Sequence, residues 1–227
     1  VASHVVSIGG IGIGDPLAVT FDEVRRIPPD SPLHCVRPEV EAQMIARIDA
    51  AKEAGDTLGG VVEVIAHGVP VGLGSHIQWD RKLDGRLAQA LMSIQAIKSV
   101  GIGRGAAVAD VPGSQIHDEI LPPVGYVPPG ALPVTRPTNN AGGLEAGITN
   151  GEDVRVTAAM KPIATLMKPL RSIDLATLTL SPAAIERSDV CAVPAAAVVS
   201  EAMVAIVLAD AVLEKFGGDS MDEIQEH

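Results

Sequence analysis

Aromatic side chains are almost missing from this chain, with two Phe, one Trp and one Tyr among 227 residues. That scarcity excludes a core keyed by large rings and leaves the packing to Ala, Val, Ile and Leu, which favours closely packed helices and sheets. Cysteine is scarce as well. Cys35 and Cys191 form neither a Cys-x-x-Cys pair nor a disulfide framework, so a reduced cytoplasmic setting is expected. There is no excess of basic charge. With 17 Lys and Arg against 28 Asp and Glu, the net charge of -11 argues against nucleic acid and anionic membranes as partners. Val1 to Leu17 is broken by glycines and lacks a basic start, so it does not read as a secretory signal. The segment Val193 to Ala209 is strongly apolar, but Pro194, Ser200 and Glu201 interrupt it below the ~20 residues of a membrane helix. It is expected to be buried.

Hydrophobic residues make up 47% of the chain, enough for a single-domain core. Strands and helices alternate irregularly, which indicates an α/β or α+β fold without solenoid repeats. Val5 to Ile8 is a short apolar run closed by Gly9 to Gly14 and Asp15-Pro16. These glycines imitate a dinucleotide fingerprint, but Asp15-Pro16 reads as a turn rather than an opening helix, so a loop is expected. Pro38 at a first helical position, Glu39 and Glu41 behind it, and Val40, Met44, Ile45 and Ile48 give an amphipathic helix ending by Gly55. Val61 to Ala66 reads as a strand. Asp84 is placed as the cap of a second helix whose apolar face runs through Leu87, Leu91, Ile94 and Ile97.

Gly101 to Pro137 is rich in Gly and Pro and predicts a long loop, a lid or an interface. Val154 to Met160 and Leu175 to Leu180 read as strands. Pro194 to Phe216 reads as a helix apolar nearly all round, which belongs between layers. Gly217-Gly218 stops it, and Asp219 to His227 reads as a frayed acidic tail.

Two features carry chemistry. The stretch Ala141 to Gly151, with Lys161 and Thr165 beyond it, reads either as an anion-binding backbone with a lysine or as a tight turn between two strands. Val154 to Arg187 holds Arg155, Lys161, Lys168, Arg171 and Arg187 against Asp174 and Glu186, a cationic segment in an acidic chain. It fits either a pocket for small anions or a solvated basic face. His4, His34, His67, His76, His117 and His227 show no metal-ligand spacing, and no metal site is expected.

Thr138-Asn139-Asn140-Ala141-Gly142-Gly143, Lys161-Pro162, Arg187-Ser188-Asp189 and Ser200-Glu201-Ala202-Met203 follow one another in a fixed order. With Ser3 to Gly9, Gly59 to Val64, Gly68 to Gly74, Lys82-Leu83-Asp84 and Leu91 to Ile94, this order resembles the chorismate synthase family over nearly the whole chain. The resemblance implies an α+β fold of the layered β-α-β sandwich type, here partial, in a family that assembles as homotetramers. It implies the anti-1,4 elimination of phosphate from 5-enolpyruvylshikimate 3-phosphate, giving chorismate, with reduced FMN required but not consumed.

Asp189 matches the family's catalytic aspartate, which assists removal of the ring proton together with flavin N5. Gln95, Ala96, Ala146, Lys161, Pro162, Ile163, Ala164, Thr165 and Arg187 match its FMN-binding positions. Two of them depart from the pattern: Ala146 replaces a usual glycine, and Gln95 a shorter amide or proline. None of the six histidines matches the family's two catalytic histidines, which are expected before Val1 together with several arginines. Residues 1–227 are therefore expected to be the C-terminal portion of one domain, inactive alone and with uncovered apolar faces. The alternative is a non-catalytic FMN-binding or subunit-assembly fragment.

Overall fold

The computed structural model describes residues 1–125, 127 and 132–225 of the chain. Its centre is a five-stranded antiparallel sheet built from β1 (Ala2–Ile8), β2 (Ile11–Gly12), β3 (Gly60–Ala66), β4 (Ile97–Ile102) and β7 (Val154–Met160). Their order across the sheet is β2-β1-β3-β7-β4. Two small hairpins, β5 (Leu144–Glu145) with β6 (Ile148–Thr149) and β8 (Arg171–Ile173) with β9 (Leu180–Pro182), stand apart from it. The helices are α1 (Phe21–Arg25), α2 (Pro38–Glu53), α3 (Leu83–Met92), α4 (Gly113–Ile116), α5 (Val193–Phe216) and α6 (Met221–Gln225).

The β-branched residues of the central strands explain why the sheet is covered on both faces. Side chains alternate along a strand. Val62, Val64, Val154, Val156 and Ala158 turn to one face and join a single core with Leu83, Leu87 and Leu91 of α3 and Val193, Ala197, Val204 and Leu208 of α5. Ile65 turns to the other face, against Val19, Val24 and Ile27. On that same face lies a buried charge cluster. Arg155 donates to both carboxylate oxygens of Glu63, at 3.0 and 2.9 Å, and Glu63 meets His4 Nε2 at 2.8 Å. The remaining guanidinium protons go to the carbonyls of Pro16 and Val19, at 2.8 and 2.9 Å, which clamps the segment after β2 onto the sheet. Burial of such charges is tolerable only because each has partners.

Several expectations hold. Gly9 and Gly10, both at positive φ, form a two-residue hairpin turn between Ile8 and Ile11, but the rest of the expected loop is corrected: Ile11–Gly12 is β2, and Asp15 caps a 3-10 turn that opens at Pro16. Pro38 opens α2, Glu39 and Glu41 lie in its first turn, and Met44 is fully buried. Gly217 ends α5 at positive φ.

Other expectations are corrected. Lys82, not Asp84, occupies the cap position of α3, and Asp84 lies in its first turn with its carboxylate on the Gly85 amide. The helix stops at Met92, and Ile97 begins β4; the apolar spacing simply continued across the turn. Leu175 to Leu178 is the tip between β8 and β9 rather than a strand. The Asp174 carboxylate accepts from the amides of Ala176 and Thr177, and Leu178 takes φ +56°. This local turn chemistry defeats the β propensity of the leucines. The stretch from 101 to 137 holds the end of β4, a 3-10 turn at Gly105–Asp110 and α4, so it is less bare than a plain loop. Its Pro128 and Pro129 lie outside the described residues, as does His227. The acidic tail carries α6.

α5 is long and apolar enough to cross a membrane by length and composition. Its placement is that of a core helix exposed on one side. Ala196, Ala197, Ser200, Val204, Leu208 and Ala211 are buried, and Glu201 accepts from the Ser3 hydroxyl of β1 at 2.8 Å. Val198, Val199, Ile206 and Leu213 remain exposed, so the helix is covered on one side instead of lying between two layers.

Candidate functional site

The candidate residues fall into two places. Met160, the last residue of β7, pairs with Ile97 of β4, and the Lys161 amide donates to the Ala96 carbonyl at 2.9 Å. This joins Gln95-Ala96 to Lys161-Pro162. Ala96 takes φ +67°, turning the chain from α3 into β4. Thr57, before β3, donates its hydroxyl to the Ile163 carbonyl at 2.6 Å, while the next residue, Leu58, donates its amide to the Val190 carbonyl at 2.8 Å. Ser188 Oγ reaches the Thr165 carbonyl at 3.1 Å. The Lys161 to Thr165 loop and the Arg187 to Asp189 segment are thus tied side by side at one end of the central sheet.

Gly59 makes the closest approach. A Cβ there would lie 2.2 Å from the Met160 carbonyl oxygen and 2.9 Å from Pro162 N, so only glycine fits while this loop keeps its path. In the sequence Gly59 stands out only as part of a motif, and Thr57 does not stand out at all. An isolated polar residue before a strand gives no signal of a partner 106 positions away.

Beside this end lies a cavity of about 520 Å³, lined by Asp49 and Lys52 of α2, by Arg187, Ser188, Asp189 and Cys191, and by Pro194 of α5. Arg187, Asp189 and Lys161 are exposed. The Lys161 ammonium touches only the carbonyl of Pro162, at 3.3 Å, among the described residues. Burial pushes the Cys191 thiol above its ordinary range, so it is not an activated nucleophile here. The arrangement offers exposed cations, a carboxylate and free space, which suits an anionic ligand with an acid/base partner.

Arg155 does not contribute to this set, since its charge is consumed by Glu63 beneath the opposite sheet face. The cationic segment therefore has one fewer cation to offer a ligand than its composition suggests.

Ala146 is not brought to this cluster. It sits in the two-residue turn between β5 and β6, with Ala146 at φ +54° and Gly147 at φ +88°, and the Gly147 carbonyl accepts the amide of Leu83 at the start of α3. The other candidates lie beyond the far end of that ten-residue helix, about 15 Å along it. Gly142 and Gly143 are packing glycines. A Cβ on Gly142 would be 2.3 Å from Gly103 N, and one on Gly143 would be 2.5 Å from the Asp153 carbonyl oxygen. The glycine-rich stretch and Lys161 thus flank opposite ends of β7 and do not form one anion cradle within the chain. Within the chain that stretch holds the turn between β5 and β6.

Among the described residues no group of three His, Cys, Asp or Glu side chains is arranged to hold a metal ion. His67 pairs with Asp153 at 2.7 Å and stacks on Phe21, and His4 belongs to the buried cluster with Glu63.

Comparison with known proteins agrees with this order of motifs. The family model "Chorismate synthase" matches residues 1–213. A chorismate synthase from Geobacter metallireducens is 57% identical over 228 aligned residues, covering all of this chain and 58% of that protein. One from Salinispora tropica is 56% identical over 98% of the chain and 55% of its own length. A crystal structure of chorismate synthase superposes with a TM-score of 0.80 at 45% identity, covering 99% of this chain and 60% of that one. The chain spans less than two thirds of these relatives, yet its match is continuous from the first strand into the last long helix, and it belongs to the chorismate synthase family.

Proposed function

We propose that these 227 residues are the C-terminal portion of a chorismate synthase domain and carry the flavin-facing side of its site. The reaction is the elimination of phosphate from 5-enolpyruvylshikimate 3-phosphate: a ring C–H bond and the C–O bond to phosphate break, a new C=C bond forms, and the products are chorismate, phosphate and a proton. The observation that carries this reading is that hydrogen bonds tie the Ala96 turn to Lys161 and the Lys161 to Thr165 loop to Ser188, between Arg187 and Asp189, at one end of the sheet.

Reduced FMN, when bound, supplies electron density to the substrate and is recovered afterwards. The donors fit such a group, because Lys161 and Arg187 are exposed cations for its anionic parts and Thr165 adds a hydroxyl at the same loop. Asp189 is the carboxylate on the cavity wall that assists removal of the ring proton, with Arg187 and Lys52 on the same wall. Ala146 serves this site only through a second copy of the chain or through a rearrangement of the β5–β6 turn.

A homotetramer is supported by the apolar arm of β8 and β9, where Leu175 is 83% exposed and Leu178 and Leu180 are nearly as bare. The exposed side of α5 is where further layers of the sandwich pack.

The test is turnover by the 227-residue chain with anaerobically reduced FMN, beside a relative of full length. The chain is expected to bind flavin without turning over, because the family's two catalytic histidines match none of its own. Rates comparable with the longer relative would mean that the acids lie within these residues. Absence of flavin binding under conditions where the chain is folded would favour a subunit-assembly role.

A further inference from the structure

Asp118 is held in an unusual way for a residue of an exposed segment. Its Oδ1 accepts from the Thr138 hydroxyl at 2.6 Å and from the Asn140 amide at 2.8 Å, and its Oδ2 accepts from the Ala141 amide at 2.9 Å. Two successive backbone N–H groups and a hydroxyl converging on one carboxylate make a concave oxyanion receptor. The receptor is built without Asp118. Arg104 grips Asn140 from behind, with its amide on the Asn140 carbonyl at 2.9 Å and Nε on Oδ1 at 2.9 Å, and is itself paired with Asp15. Asn139 fixes the other flank through Gly143 N and the Asp153 carbonyl. The donors are therefore aimed before an anion arrives.

The segment that carries Asp118 forms part of the wall of a cavity of about 390 Å³, together with Val108, Asn140, Ala141 and Glu145. Beyond it, Leu121 exchanges two backbone hydrogen bonds with Thr135. Between α4 and that bridge, Asp118 supplies the side-chain contact that ties the strap to the turn.

We propose that the Thr138–Ala141 turn is an oxyanion cradle for a carboxylate or phosphate, and that Asp118 occupies it as an internal ligand, latching the strap 113–121 against the turn beside the cavity. This goes beyond the flavin reading and does not depend on it. Burial acts to raise the Asp118 carboxyl, but the hydrogen bonds from Thr138, Ala141 and Asn140, together with Arg136, outweigh it and hold the group below its ordinary value. The sign follows: the latch is complete above the ordinary carboxylate range and is lost as pH falls through the depressed value. Arg136 opposes that loss. Glu152, Glu145, Glu119 and His117 are the other titrating groups around the strap.

Amide exchange of the whole chain tests the latch. Asp118→Asn sets an NH2 group against an N–H donor, so residues 113–119 should exchange at least about tenfold faster while β3 and β7 keep their protection. Lowering the pH should open the same amides in the wild type, after correction for intrinsic rates, and should have no such effect in the variant. Thr138→Val, which removes one donor, should give a smaller loosening confined to the strap. Unchanged strap exchange in both variants overturns the latch. The cradle is tested in Asp118→Ala by titrating acetate and following the Asn140 and Ala141 amide resonances. Saturable shifts in the variant and none in the wild type support it; no saturable shift in the variant overturns it.

Discussion

The hydroxyl of Thr57 lies 2.6 Å from the carbonyl oxygen of Ile163, and this one bond fastens the lysine loop to the strand that opens the centre of the sheet. Two residues further on, Gly59 lets Met160 and Pro162 pass where a methyl group has no room. Gly59→Ala is therefore expected to displace the Lys161-Pro162 loop and to cost about 1–3 kcal/mol or more of stability. Thr57→Val, nearly equal in shape, should cost about 1 kcal/mol. Denaturant unfolding of both variants measures the difference, and a neutral Gly59→Ala would show that the loop is not confined.

Ala146 holds φ +54° in its turn, a conformation that costs a residue with a Cβ roughly 1–2 kcal/mol. Ala146→Gly should stabilise the chain by somewhat less than this, about 1 kcal/mol, because glycine also frees the unfolded chain. A lowered midpoint of unfolding would contradict it.

Glu63 is fully buried between His4 and Arg155. Glu63→Ala leaves Arg155 charged beneath the sheet with only carbonyls for company, and about 3–5 kcal/mol of stability should be lost. The double variant in which Arg155 is also replaced by Met should recover part of that loss. A double variant no more stable than the single one would refute the stranded-charge explanation.

For flavin binding, Lys161→Ala should weaken FMN roughly 10- to 150-fold, the worth of one charge-assisted contact, and the wild-type affinity should fall with salt. Fluorescence titration with and without added salt reads both effects. Equal affinities would remove Lys161 from the site.

In a relative-length protein carrying the same motif, Asp189→Asn should keep flavin affinity and slow elimination by about 10²–10⁴-fold, since an amide keeps the shape but accepts no proton. Full turnover in this variant would leave Asp189 a surface carboxylate.

Much of the scaffold was legible because it rests on local rules. The Gly9-Gly10 turn, the Pro38 helix start, the strand over Val61 to Ala66 and the Gly217 stop each follow from a few neighbouring residues. The errors came where a local pattern was overruled. The period of Leu87 and Leu91 ran on to Ile97 across a helix end, and the leucines at 175–180 were bent into a tip by Asp174. The motif residues were recognised by their order, yet order says nothing about distance.

The sequence by itself determined the family, the acidic charge balance and the main strands and helices, because motif order, composition and side-chain period are properties of the chain read along its length. Only the tertiary structure decided which motifs meet. It tied Lys161 to Ala96 through a backbone bond and Ser188 to Thr165 through the serine hydroxyl, left Ala146 at the far end of α3, and withdrew Arg155 into a buried pair with Glu63. Those outcomes depend on sheet pairing between residues far apart in sequence, and no single stretch of the chain carries that pairing.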